Sequence, residues 1–290
     1  MATRILLKTT IPATEDDWHI GRFSLLAAHL AAQADATGTP LYAVTPRDRD
    51  EDAQGNDRDL AALGGWDQLW LFAVDDTGAL TEDDCAAIDA FRAAGGGVML
   101  SRDHMNLGAC LTRLGPIGEL QHFQKVNPEA DVARQCIDDV ETAYITWPNY
   151  HSGANGDFQQ IEAADHPVMR RADGTPIRTL PSHPHEGTVG VPEALAGFGQ
   201  VVAQGRSQVT GRPFNLVVAV DEPGKGRVVA EGSFHHLCDY NWNPAMGCPS
   251  FVSEAPGRAI LDDAEAAGDA REYAAAVARW LAGAHQDPAP

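Results

Sequence analysis

Short apolar runs alternate with amphipathic segments through the first hundred residues of the chain. The runs that predict buried strands occupy residues 5–7, 41–44, 69–74 and 98–100. After the first run, Phe23, Leu26 and Leu30 recur at helical spacing, which predicts a helix there. Strands that alternate with helices imply right-handed crossovers, so the pattern predicts a parallel, doubly wound α/β sheet.

A capping motif marks the start of the next predicted helix. Thr81 has the side chain of an N-cap, and Asp84 stands three residues later, where its carboxylate can accept the N-cap backbone N–H. Cys85, Ile88 and Phe91 continue the segment as an inward-facing stripe. A run of three glycines then ends it, as expected at a helix C-terminus.

Regular structure returns in the second half of the chain after an irregular middle. Residues 115–197 carry aromatic residues, prolines and histidines without a clean period, which predicts a loop-rich elaboration within a single domain of residues 1–290. Apolar runs at 215–220 and 228–230 flank a Gly-Lys-Gly turn and predict a β-hairpin. A last amphipathic helix is predicted by the stripe of Tyr273, Val277, Trp280, Leu281 and Ala284.

Acidic residues dominate the composition. The chain has 21 Lys and Arg against 41 Asp and Glu, a net charge of -20, which repels phosphate backbones and anionic headgroups. Neither nucleic acid nor a membrane is therefore expected as a partner, and a small polar molecule is. The sequence leaves open whether the chain forms a homo-oligomer. Residues 48–59 are packed with charges and lack an apolar period, which predicts a solvated loop.

The cysteines and the amino-terminal segment favour a cytoplasmic protein. Five cysteines are scattered along the chain without a C-x-x-C pair, so neither a disulfide framework nor a thiolate zinc site is indicated. No apolar run approaches the ~20 residues of a membrane span. The first apolar run is also too short for the core of a signal peptide.

Four segments, taken in their order along the chain, resemble a known superfamily. They are the helix-to-strand segment 91–100, Asp-His-Pro-Val at 165–168, Gly-Arg-Val-Val at 226–229 and Gly-Ser-Phe-His at 232–235. Together they resemble the class I glutamine amidotransferase-like superfamily, most closely its trehalose-utilisation (ThuA-like) family. The resemblance implies a flavodoxin-like, mostly parallel fold. It also implies a site that combines the turn after the fourth strand with a histidine after the last strand, which His235 matches.

The residues that carry the chemistry of working amidotransferases are replaced in this chain. Those enzymes present a cysteine in a glycine-flanked turn after a strand and activate it with a His-x-Glu after the last strand. Here the fourth strand runs into Ser-Arg-Asp-His at 101–104, and the residue two positions after His235 is Leu237. Cys110 lies too far along the chain for the turn to present it. The sequence therefore predicts that glutamine is not hydrolysed.

Acid–base residues follow two of the predicted strands. Ligands of an open parallel sheet bind beyond the carboxyl ends of its strands. Asp103 and His104 follow the fourth strand, and His235 and His236 follow the last. These four are the predicted catalytic residues, because imidazoles and carboxylates suit acid–base work near neutral pH. Structural roles stay open for two of them, since Asp103 can cap a following helix and only one of two adjacent extended histidines faces a given side.

A metal site is predicted in the irregular middle. His183 and His185 stand two residues apart in an extended stretch and share a face, so with Glu186 beside them they predict a divalent metal such as zinc. An H-x-H pair alone is a weak motif, and catalysis without a metal stays open. A flavin is not expected because the loop at 9–14 lacks a glycine, and a nicotinamide is not expected because no G-x-G-x-x-G follows a strand.

Two segments rich in aromatic and amide side chains predict contacts with a ligand. Residues 147–157 and 239–243 mix aromatic faces with amides and hydroxyls, a combination that suits a polar, hydroxylated ligand. They supply the predicted substrate-binding residues His151, Asn155, Tyr240 and Trp242. The alternative for each segment is an ordered loop packed by its own aromatic rings.

Two classes of function remain open at this point. The first is an enzyme of the hydrolase, lyase or isomerase type that acts on a small polar metabolite by His/Asp acid–base catalysis, with or without a metal. A sugar-derived substrate is what the ThuA-like resemblance implies. The second is a non-catalytic amidotransferase-like module that binds a ligand or a partner. The fold alone does not decide between them, because this architecture hosts unrelated chemistries.

Overall fold

The regular elements of the computed structural model lie within residues 2–75, 78–103, 107–121, 151–184, 186, 189–209 and 211–283, which are the residues it describes. The strands are β1 (Thr3–Thr9), β2 (Tyr42–Arg47), β3 (Gln68–Ala73), β4 (Gly97–Arg102), β5 (Phe158–Gln160), β6 (Glu162–Ala163), β7 (Thr179–Pro181), β8 (Gly199–Arg206), β9 (Pro213–Val220) and β10 (Val228–Glu231). The α-helices are α1 (Ser24–Ala31), α2 (Glu82–Ala93), α3 (Gly115–Gly118), α4 (Asp239–Trp242), α5 (Ala259–Asp262) and α6 (Ala264–Leu281).

One large sheet has the strand order β2-β1-β3-β4-β10-β9-β8-β6. The five strands from β2 to β10 run parallel, with Leu6 opposite Leu69, Leu69 opposite Val98, and Leu100 opposite Ala230. The remaining three strands extend the sheet in antiparallel pairs, while β5 pairs with β7 outside it. The predicted mostly parallel, doubly wound α/β fold is confirmed, and β9 and β10 form the predicted hairpin.

Helices cover both faces of the parallel strands. Ile5 and Leu7 of β1 belong to the apolar cluster that contains α1 and α6, whereas Leu6 belongs to the cluster on the opposite face, with Ile88 of α2. Because both faces of these strands are buried, their sequences are continuous apolar runs and do not alternate with polar residues.

The predicted helix signals are found where the sequence places them. The Thr81 side chain accepts a hydrogen bond from the backbone N–H of Asp84 at 3.1 Å, and the Asp84 carboxylate accepts one from the backbone N–H of Thr81 at 3.0 Å. In α6, Tyr273 and Val277 are fully buried, as their spacing predicts. None of the helices in the described part of the chain is long and apolar enough to cross a membrane.

The prediction of a solvated loop at residues 48–59 is wrong for part of that segment. Arg49 and Asp57 are 6% and 0% exposed. Asp57 lies 2.9 Å from the fully buried ammonium of Lys8 in β1, and Arg49 lies 3.0 Å from Asp84 in α2. The segment folds back onto β1 and α2 because its charges pair with buried partners of opposite sign.

Part of the loop-rich middle lies outside the described residues. This part is residues 122–150, 185, 187 and 188, and it includes the first four residues of the aromatic segment 147–157. The described part of the middle contains α3, β5, β6, β7 and two short 3-10 helices. The boundaries of a single domain over residues 1–290 therefore stay a prediction, as does the extent of the elaboration at 115–197.

Candidate active site

Two neighbouring parallel strands position the central residues of the site. β4 and β10 are paired in parallel, so the residues that follow them meet at one edge of the sheet. Asp103 follows β4 directly, and His235 lies in the short 3-10 helix Phe234–His236 after β10. Ser233 caps that helix, because its hydroxyl accepts a hydrogen bond from the backbone N–H of His235 at 3.2 Å.

A third side chain joins these two from a separate part of the chain. His183 lies two residues beyond β7, and its ring stacks on that of His235 with centroids 3.8 Å apart and planes 7° from parallel. Asp103 reaches both rings, with Oδ1 3.6 Å from Nδ1 of His183 and Oδ2 3.6 Å from Nε2 of His235. All three residues are at most 3% exposed. Two imidazoles and a carboxylate so arranged can exchange protons or bind a cation.

The ring of His235 is held by neighbours on several sides. Its Nδ1 lies 2.8 Å from Oδ1 of Asn241 and 3.7 Å from Sγ of Cys238. The indole of Trp18 packs edge-on against it, with centroids 4.8 Å apart. Burial by itself lowers the pKa of His235, but its interactions with Cys238 and with the carboxylate of Asp103 raise it by more, to about 10. A positive charge on this ring is therefore stabilised at neutral pH.

The adjacent His236 belongs to a different, fully buried network. Its Nδ1 lies 2.7 Å from Oε2 of Glu231, and its Nε2 lies 2.6 Å from Oε2 of Glu186. Tyr273 donates a hydrogen bond to Glu231, and Ser152 donates one to Glu186. Burial lowers the pKa of His236, while the two carboxylates raise it by more, to about 10. Both ring nitrogens of His236 are thus engaged by carboxylates, and its predicted catalytic role stays a prediction.

The buried network also supports the segment that carries His183. The backbone N–H of His183 lies 3.3 Å from the hydroxyl of Ser152 and 3.4 Å from Oε1 of Glu186. The same hydroxyl also contacts the backbone carbonyl of His183, which competes with Glu186 for its one hydrogen. The position of the His183 ring over His235 therefore depends on the Glu186–His236 pair behind it.

A cavity of about 220 Å³ opens onto the three central residues. Its polar wall consists of Asp103, Asn155, His183, His235 and Glu254. Its apolar wall consists of Trp18, Leu107, Pro184, Phe251 and Val252. Larger surface depressions of about 450 and 460 Å³ lie elsewhere on the molecule, and no histidine is among the described residues that line them. Among the described residues, histidines therefore line the smallest of these three cavities.

Two loops meet at the mouth of this cavity. The loop after β1 contributes Trp18, and the segment before α5 contributes Phe251, which is 60% exposed. The carboxylate of Asp16 joins the loops, because it accepts hydrogen bonds from the backbone N–H of Ser250 at 2.7 Å and from its hydroxyl at 2.5 Å. These hydrogen bonds lower the pKa of Asp16.

The structure brings some of the predicted site residues together. Four of them line the cavity: Asp103, Asn155, His183 and His235. Glu186 does not join His183 as a ligand at this place, because its carboxylate faces His236 in the buried network. His104 and His185 lie outside the described residues, and their predicted roles stay predictions.

The other three predicted substrate contacts do not line the cavity among the described residues. Tyr240 and Trp242 are each 4% exposed and belong to the apolar core, where the indole N–H of Trp242 donates to the carbonyl of His236 at 2.9 Å. The carbonyl of His151 accepts a hydrogen bond from the backbone N–H of Gln208. The aromatic rings of residues 239–243 thus have the packing role that the sequence left open for them.

Sequence reasoning missed three residues that surround the cluster. Asn241 orients His235, although the sequence predicted that its segment, 239–243, contacts a ligand. The signal that could have identified this role is a single amide among the buried residues of helix α4. Trp18 and Glu254 reach the cavity from loops without a motif. No local pattern distinguishes these two from other loop residues.

Cys110, the first cysteine after β4 in the sequence, does not have the environment of an amidotransferase nucleophile. Cys110 lies in the 3-10 helix Ala109–Arg113, is fully buried, and has its Sγ 3.0 Å from Oδ1 of Asp75. Burial raises the pKa of Cys110 well above its ordinary value, and Asp75 raises it further. The thiolate that a nucleophile requires is therefore disfavoured at this position.

The fold is similar to that of solved structures at low sequence identity. A ThuA-like protein from Parabacteroides merdae superposes with a TM-score of 0.51 at 14% identity, over 100% of this chain and 94% of that one. The mmIFT52 N-terminal domain superposes with a TM-score of 0.52 at 13% identity, over 98% of this chain and 100% of that one. The glutaminase domain of Trypanosoma brucei CTPS, with bound acivicin, has a TM-score of 0.45 at 15% identity, over 96% and 94% of the two chains.

No protein-family model matches the chain, and no curated protein sequence matches it. The similarity to solved structures and the strand order therefore describe the fold alone. The chemistry is inferred from the residues of the site. The chain has a mostly parallel α/β fold similar to that of the ThuA-like protein, with a cluster of two histidines and one aspartate where the parallel strands end.

Proposed function

We propose that this protein is an enzyme that transforms a small polar metabolite by acid–base catalysis at Asp103, His183 and His235. The observation that carries the proposal is the convergence of these three ionisable side chains, from three separate parts of the chain, on one cavity. Burying ionisable groups opposes folding unless they are paired. Clusters of this kind are concentrated at functional sites.

The stacked histidines divide the acid and base roles between them. Their centroids are 3.8 Å apart, so two positive charges on the rings repel strongly at this distance. One ring is therefore protonated while the other is neutral, and Asp103 stabilises the single positive charge. A pair of groups whose environment separates their protonation states supplies both an acid and a base near neutral pH.

The cavity favours a small hydroxylated substrate. Its volume of about 220 Å³ is below the roughly 300 Å³ at which pockets for drug-sized ligands begin. Asn155 and Glu254 provide hydrogen-bonding groups on one wall, and Trp18 and Phe251 provide aromatic surface on the other. A sugar derivative is the substrate class that combines these features with the ThuA-like resemblance. Glutamine hydrolysis is not expected, because the buried Cys110 lacks the environment of a nucleophile.

The test compares the wild-type protein with site variants on a defined panel of substrates. Sugars, sugar lactones, keto-sugars and polyols are incubated with each protein, and product formation is followed by NMR. His235→Ala and Asp103→Asn are expected to lower turnover by about 10²–10⁴-fold, the usual range for losing a general acid or base. His166→Asn serves as the matched control, since His166 caps a 3-10 turn away from the cavity and Asn is also an N-cap residue.

The outcomes separate the two classes of function. Unchanged turnover in both site variants would overturn the assignment of the cluster. Saturable binding of a panel compound that depends on His235 and is never accompanied by product would favour the non-catalytic module.

A further inference from the structure

Asn241 determines which nitrogen of His235 carries a hydrogen. Its Nδ2 donates to the carbonyl of Ser182 at 2.7 Å and to Oδ1 of Asn155 at 3.1 Å. Because a carbonyl oxygen only accepts, this orients the amide and leaves its Oδ1 to face Nδ1 of His235 at 2.8 Å. Nδ1 therefore carries a hydrogen, and in the neutral form of the ring the lone pair of Nε2 faces Asp103.

Either a proton on Nε2 or a metal ion bound by both groups can balance the carboxylate charge that this nitrogen faces. Nε2 of His235 and Oδ2 of Asp103 are 3.6 Å apart, which exceeds the roughly 2.7–3.2 Å of a direct N–H···O bond. Nδ1 of His183 lies at the same distance from the other carboxylate oxygen. Two donors at about 2.1 Å from one ion are about 3.0–3.6 Å apart for bond angles of about 90–120°. Each of the two nitrogen–oxygen distances therefore matches a pair of donors that share one ion, and the three ligand atoms all lie within 4.8 Å of one another.

We propose that Asp103, His183 and His235 bind one divalent transition-metal ion at the floor of the cavity. The inference rests on the proposed function and deepens it, because a bound ion lowers the pKa of a coordinated water to about 7 and so provides a base. Two imidazoles and one carboxylate suit Zn²⁺, Mn²⁺ or Fe²⁺ and leave coordination positions open. They do not suit Mg²⁺ or Ca²⁺, which prefer oxygen ligands. Compared with the set predicted from sequence, Asp103 and His235 take the places of His185 and Glu186.

Binding of the ion requires a small rearrangement of the cluster. The hydroxyl of Ser233 lies 3.1 Å from Nδ1 of His183 and turns away when that nitrogen binds the ion. The two imidazole planes are only 7° from parallel, so at least one ring rotates to direct its lone pair at the shared ion. Because Trp18 packs against the ring of His235, an ion bound to that ring changes the environment of the indole. Tryptophan fluorescence therefore reports binding independently of activity.

The experiment uses the full chain, stripped with a chelator and dialysed. Co²⁺ is titrated as the spectroscopic probe, and Zn²⁺ is then added to displace it. The wild-type protein is expected to bind one equivalent of Co²⁺ with a visible absorption band that Zn²⁺ removes. His183→Ala, His235→Ala and Asp103→Asn are expected to weaken binding by more than about 100-fold, beyond the roughly 10–100-fold of outer contacts. His166→Asn is expected to bind as the wild type does.

Circular dichroism checks that each variant is folded. Asp103→Asn removes a charged ligand without shortening the side chain, so weaker metal binding by this variant is not caused by a truncated side chain. A folded wild-type protein that takes up no stoichiometric Co²⁺ or Zn²⁺ overturns the metal site, as does equal binding by all three variants. Undiminished turnover by the stripped protein overturns the role of the ion in catalysis and leaves the acid–base function standing. Stoichiometric binding without turnover of any panel compound supports the metal site and counts against the proposed function.

Discussion

The amide oxygen of Asn241 lies 2.8 Å from Nδ1 of His235, and the thiol of Cys238 donates to the same oxygen at 3.1 Å. The other end of the amide is held by the carbonyl of Ser182. His235 thus presents Nε2 to the cavity in a fixed orientation. The amide acts through the histidine and is a positioning residue.

Replacement of Asn241 by Ala is expected to destabilise the protein and to impair the cluster. The buried N–H of His235 loses its acceptor, which costs about 1–3 kcal/mol of unfolding free energy. If the ring also loses its orientation, Co²⁺ affinity falls by about 10–100-fold. Urea unfolding and Co²⁺ titration check the two effects. An unfolding free energy within about 0.5 kcal/mol of the wild type would contradict the first.

The buried ammonium of Lys8 offers a matched pair of substitutions on one strand. Lys8→Met leaves the buried carboxylate of Asp57 without its charge partner and is expected to lower the unfolding free energy by about 3–5 kcal/mol. Arg4→Met, also in β1, removes a half-exposed pair with Asp67 and is expected to cost less than about 1 kcal/mol. Denaturant unfolding of both variants measures the difference. Equal losses would show that burial of the Lys8 pair does not govern its contribution.

The contact between Asp16 and Ser250 is expected to control the mouth of the cavity. Asp16→Ala removes both hydrogen bonds that join the two loops, so amide hydrogen exchange should rise in the segment around Phe251. Asp52→Ala is the control, because Asp52 makes the same kind of bond within its own loop. If exchange around Phe251 rises equally in both variants, Asp16 is not the connection between the loops.

Histidines outside the cluster predict a loss of stability at mildly acidic pH. Burial lowers the pKa of His29 and of His166 below the unfolded value of about 6.5. A lowered folded pKa means that the unfolded chain binds more protons, so this contribution is complete above about pH 6.5 and is lost as the pH falls. Unfolding free energy measured from pH 7.5 to 5 should fall less steeply in His29→Gln than in the wild type. An identical slope would remove His29 from this account.

Local signals predicted the framework of the fold well. Continuous apolar runs marked β1, β3 and β4, because parallel strands covered on both faces carry apolar side chains in both directions. The capping pair of Thr81 and Asp84 marked the start of α2, because a cap involves residues that are close in sequence. The charges at 48–59 predicted a solvated loop, but Arg49 and Asp57 of that segment are buried against distant parts of the chain. Its burial depends on Lys8, which comes some fifty residues earlier.

The sequence by itself determined the α/β fold class, the likeness to the ThuA-like fold and the presence of Asp103 and His235 at the ends of strands. Only the tertiary structure decided that His183 joins these two, that His236 turns into a buried pair of carboxylates, and that Asn241 orients His235. The physical reason is the range of each interaction. Strand periodicity and helix caps act over a few residues, whereas these contacts form only after strands, loops and helices have packed together.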